Sequence, residues 1–76
     1  MTQARNPKFS VNPEYERILL RLLTIDPDPM HYELLGELAR TQYFTDMTNQ
    51  GALNTLRRSM HFKCAKPGFY CLAGRW

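Results

Sequence analysis

Seventy-six residues, 43% of them hydrophobic, suffice for one small domain near the lower limit at which a single core supports itself, and are too apolar for a disordered chain. The net charge of +3 is uneven: from Arg40 onward Arg40, Arg57, Arg58, Lys63, Lys66 and Arg75 oppose only Asp46, while carboxylates prevail before it, which suits a polyanion on one side and a protein partner on the other. No stretch approaches a membrane span and the start MTQARNPKF lacks the apolar run of a secretory signal, so a cytoplasmic protein is expected.

Residues 1–12 carry Pro7 and no periodicity, and are expected to form a flexible arm from which Arg5 and Lys8 can reach a phosphate backbone. The remainder, 13–76, is expected to be a single domain. Asn12 is a suitable N-cap, Pro13 a favoured first helical residue, and Glu14 and Glu16 complement the positive end of the dipole. Tyr15, Ile18, Leu19, Leu22 and Leu23 then recur at helical spacing, with Arg17 and Arg21 on the other side. Asp26-Pro27-Asp28-Pro29 ends this helix, because proline disfavours helix at its own position and at the one before it.

Met30-His31 reads as a short extended segment. Tyr32–Arg40 reads as a second helix, with Leu34, Leu35 and Leu38 inward and Glu33, Glu37 and Arg40 outward. His31 is expected to pack or cap, since it has no nucleophile or carboxylate partner in sight. Between Thr41 and Met47, Tyr43 and Phe44 are expected to pack beneath the connection to the third helix.

The stretch Thr48–Ala73 is the most informative. Thr48 can cap a helix that carries Leu53, Leu56 and Met60 as its buried stripe. Gln50, Asn54, Arg57 and His61 fall on a neighbouring stripe with Arg58 at its edge, and these amides and guanidinium groups are the types that pair with base edges and phosphates. Phe62–Ala65 and Phe69–Leu72 then flank Lys66-Pro67-Gly68, where Pro fixes the first φ of a type II turn and Gly accepts the positive φ of the second. Lys63 and Lys66 make this hairpin basic. The same polar face also suits a helix that merely meets water.

With Pro67-Gly68 as a two-residue loop, Cys64 would face Cys71 across the hairpin. Three states are compatible with that register: two free thiols, which is the expectation in a reducing compartment, a cross-strand disulfide, or a zinc site with His61 that lacks a fourth ligand. No cofactor and no resident metal are expected. Trp76 is expected to fold back onto the core.

The order helix, extended segment, helix, helix, strand, strand predicts an α+β, mainly α, winged helix-turn-helix with a C-terminal two-stranded hairpin as its wing. Met30-His31-Tyr32-x-x-Leu35, followed by Leu53-x-x-Leu56, Phe62 and Pro67-Gly68-Phe69-Tyr70-x-Leu72-x-x-x-Trp76, resembles the core pattern of the HARE-type winged-helix family. That family includes domains of restriction and chromatin proteins and the N-terminal domain of the bacterial RNA polymerase δ subunit. The resemblance spans residues 15–76 and implies the fold more strongly than the function. Two departures stand out. The connection between the second and third helices is shorter than the family's, and the last helix and hairpin are more basic than in the δ-subunit branch, which favours nucleic acid over polymerase.

These features predict a double-stranded-DNA-binding regulator of phage, plasmid or bacterial type, with a homodimer to enlarge its footprint. Gln50, Asn54 and Arg57 would approach the major groove, His61 would share their stripe, Arg58 would contact phosphate, and Lys63 and Lys66 would contact the backbone. The alternative is a module docking on RNA polymerase or another host protein, with Glu33, Glu37 and an exposed Phe69 or Tyr70 as its contacts. Catalysis is not expected, because the chain has no Gly-rich phosphate loop, paired-carboxylate site or activated nucleophile pair.

Overall fold

The computed structural model of the chain describes residues 11–74; Arg5, Lys8, Arg75 and Trp76, and the expectations attached to them, fall outside the described residues. Helix α1 (Pro13–Ile25) begins as its sequence requires: Asn12 Oδ1 accepts from the amides of Glu14 (2.9 Å) and Tyr15 (3.3 Å). Ile18, Leu19, Leu22 and Leu23 are buried, and Arg17 and Arg21 are exposed. The following prolines leave the chain extended, and Met30–His31 becomes strand β1.

Helix α2 (Tyr32–Tyr43) is capped by His31, whose Nδ1 accepts from the Glu33 amide at 3.1 Å. It runs three residues beyond the expected end at Arg40. Leu35, Gly36 and Ala39 are its buried positions, whereas Leu34, expected inward, is 45% exposed. Arg40 departs further from expectation. It is half-buried, and one guanidinium nitrogen donates to Met47 O and to Asn49 Oδ1, both at 3.0 Å. Gly36 makes room for this contact, since a Cβ there would lie 2.7 Å from Asn49 Oδ1.

The α2–α3 connection is packed by Met47, which is fully buried. Phe44, expected beneath it, is instead the C-cap of α2 in a left-handed conformation (φ 55°) with its ring 89% exposed. Helix α3 (Asn49–Arg58) starts at Thr48, whose Oγ1 accepts from the Gly51 amide at 2.9 Å. Ala52, Thr55 and Leu56 are buried and Leu53 is half-buried. The helix stops one turn earlier than its apolar spacing suggests. Ser59 turns extended, its hydroxyl donating to Glu16 Oε2 (2.5 Å) and accepting from the His61 amide (3.1 Å). Met60 therefore leaves the buried stripe and is 84% exposed.

Strands β2 (Phe62–Lys66) and β3 (Phe69–Leu72) form the expected hairpin about Pro67-Gly68, with Gly68 at φ 82°. The sheet has three strands rather than two: β1 pairs antiparallel with β3, Met30 opposite Tyr70 and His31 opposite Phe69, in the order β1-β3-β2. The Tyr32 amide adds a bond to Gly68 O at 3.0 Å, fastening the hairpin turn to the start of α2. A bulge at Ala65 shifts the hairpin register, so Cys64 lies opposite Tyr70 and Cys71 opposite Lys63. The two cysteines do not face each other and both are free, Cys64 exposed and Cys71 buried.

The described residues thus make a small, mostly helical α+β fold of three helices and a three-stranded antiparallel sheet. Its core joins Leu19 and Leu23 of α1, Leu35 and Ala39 of α2, and Leu56 of α3 with Met30, Met47, Phe62 and Tyr70. Among the described residues no helix is long and apolar enough to cross a membrane.

Candidate nucleic-acid interface

Because Ala52, Thr55 and Leu56 face the core, helical geometry turns Gln50, Asn54 and Arg57 to the opposite side of α3. Gln50 and Arg57 are exposed and Asn54 is half-buried. Gln50 Nε2 donates to Asn54 Oδ1 at 3.1 Å, one helical turn away, which orders the two amides as a unit. Their remaining oxygen and nitrogen, Gln50 Oε1 and Asn54 Nδ2, form a donor–acceptor pair of the kind that reads adenine or a backbone edge. No carboxylate lies within α3, whose last turn is Arg57-Arg58. Both arginines also complement the negative end of the helix dipole.

The predicted stripe divides at its C-terminal end. Arg58 and Asn54 border a shallow cleft of about 170 Å³ shared with Val11, Asn12 and Tyr15 of the α1 start. Arg57 is exposed in the last turn of α3, and its positive charge partly offsets the upward pKa shift of the Tyr70 phenol caused by burial and by Cys64. His61 is not on the helix at all, since α3 ends at Arg58. It sits in the following turn with its Nε2 3.9 Å from Glu16 Oε2.

On the hairpin, Lys63 is half-buried opposite Cys71, and Lys66 is exposed at the end of β2 with its Nζ 4.6 Å above the Phe69 ring. Cys64 Sγ donates to Lys66 O at 3.0 Å across the bulge. Phe69 is half-buried between Lys66 and an edge-on His31 (5.1 Å), and Tyr70 is buried, so neither is the exposed anchor that a protein-docking hairpin tip would need. His61, Cys64 and Cys71 do not assemble as ligands; among the described residues no group of three or more His, Cys, Asp or Glu is placed to hold a metal ion.

Two tertiary hydrogen bonds with no local pattern behind them hold this face in place. Asn49 receives Arg40, and Glu16 receives Ser59. Neither has a local sequence signal, because their partners lie nine and 43 residues away. The Tyr15 hydroxyl likewise donates to Asp46 Oδ1 at 2.7 Å, and this bond, with some burial, raises its pKa above 10.0. No family model, no curated protein and no solved structure matches this chain.

Proposed function

We propose that this chain is a non-catalytic winged helix-turn-helix module of a phage or bacterial regulator that binds double-stranded DNA, with α3 as the recognition helix and the β2–β3 hairpin as a short wing. The observation that carries this reading is the outward face of α3. It presents an ordered Gln50–Asn54 amide pair flanked by Arg57 and Arg58, with no carboxylate in the helix and Lys63 and Lys66 on the adjoining hairpin. The element order α1-β1-α2-α3-β2-β3 and the sheet order β1-β3-β2 support the same fold. The amides suit base edges in the major groove, and the cations suit phosphates on either side. His61 lies beyond the helix end, in the turn that leads into the hairpin, and is exposed.

Fluorescence anisotropy against a random labelled duplex at two salt concentrations tests this, with Arg57→Glu/Lys66→Glu alongside. Wild-type binding should weaken steeply with salt, the logarithmic slope changing by about 0.9 for each phosphate contact, and the double variant should lose binding. Absence of binding at low salt from folded protein would falsify the reading. It would favour a module that docks on a protein such as RNA polymerase, through the exposed Phe44 and Met60.

A further inference from the structure

The outer faces of α1 and α2 are built as opposites. On α1, Arg17, Leu20, Arg21, Thr24 and Ile25 line a shallow groove of about 340 Å³ with no carboxylate in its wall. Ile25 is 74% exposed and shares the groove with Leu20. Thr24 Oγ1 already donates to Leu20 O at 2.6 Å, so its polar atom needs nothing from a partner. On α2, Leu34 is 45% exposed and lies to one side of exposed Glu33 and Glu37, while Thr41 Oγ1 is satisfied by Glu37 O at 3.0 Å.

The two faces are complementary in charge. Arg17 and Arg21 are a like-charged pair four residues apart on one helix, and Glu33 and Glu37 are the same on the other. Such pairs repel and weaken their own helix. None of the four has an ion-pair partner among the described residues. Both pairs span about 6 Å along their axes. Each pair therefore supplies, at the right separation, the charges that the other lacks.

We propose that these two faces bind each other between two copies of this chain, the α1 groove of each protomer receiving the Glu33–Leu34–Glu37 ridge of its partner. A two-fold axis makes this contact twice, which buries Leu20, Ile25 and Leu34 from both protomers and closes the assembly at a dimer. The surface uses none of the side chains assigned to DNA, so it stands or falls apart from that reading.

Sedimentation equilibrium without DNA tests it on three proteins, each shown by circular dichroism to be folded: the wild type, Arg17→Glu/Arg21→Glu and Glu33→Arg/Glu37→Arg. Wild type should move with concentration from the 8.9 kDa of one chain towards twice that mass. Each reversed variant should stay at the single-chain mass, because its two faces now carry one sign. An equimolar mixture of the variants should return to the dimer mass, since the acidic groove of one meets the basic ridge of the other. A wild type that stays monomeric, reversed variants that still dimerise, a mixture that does not associate, or open-ended assembly would each overturn the proposal.

Discussion

Arg40 shows how far one side chain can stand from its sequence reading. Its helical phase and charge place it outward, yet its long stem lets the guanidinium reach across to Met47 O and Asn49 Oδ1. A charged donor to two acceptors at a half-buried site contributes more than an exposed ion pair does. Arg40→Met should keep the stem and lose both bonds, lowering stability by about 1.5–3 kcal/mol in urea titration. A loss near zero would mean that water replaces the guanidinium without cost. Gly36 belongs to the same arrangement, because only a residue without Cβ leaves Asn49 its place. A buried glycine in a helix carries no such message in sequence.

At the scale of elements, the helix beginnings follow from local chemistry. Asn12, His31 and Thr48 each satisfy an amide two or three residues ahead. The ends are less regular. Phe44 closes α2 in the left-handed region, where a bulky residue costs about 1–2 kcal/mol relative to a relaxed conformation, and its exposed ring recovers little of this by packing. Phe44→Gly should therefore stabilise the fold by up to about 1 kcal/mol, read as a higher urea midpoint at unchanged slope. A lower midpoint would show that the ring packs in solution. Gly68 is the opposite case, with the residue matched to a φ of 82° and to the approach of His31 Nε2, which a Cβ would meet at 3.0 Å.

At the scale of the whole molecule, three groups couple the fold to alkaline pH in one direction. Burial raises the Cys71 thiol above 9.0 and the Tyr70 phenol above 10.0, and the bond to Asp46 leads the rise of Tyr15. In each case the unfolded chain releases its proton first. The stability from these groups is complete below their unfolded values and is lost as pH rises through the folded ones. The urea midpoint should be level through neutrality, decline from about pH 9 as Cys71 titrates in the unfolded chain, and decline further beyond about pH 10. An equal midpoint at pH 7 and pH 10.5 would contradict the placement of these groups. On the same scale, the chain by itself determined the three helix starts, the Pro67-Gly68 turn and the polar outward face of α3. Each depends on caps, φ preferences and spacing that act within a few residues. Only the tertiary structure decided the early stop of α3 at Ser59, the pairing of β1 with β3, the bulge that separates Cys64 from Cys71, and the inward turn of Arg40. These depend on partners brought together by the core, such as Glu16 for Ser59 and Tyr70 for Met30, and no local pattern carries the identity of a distant partner.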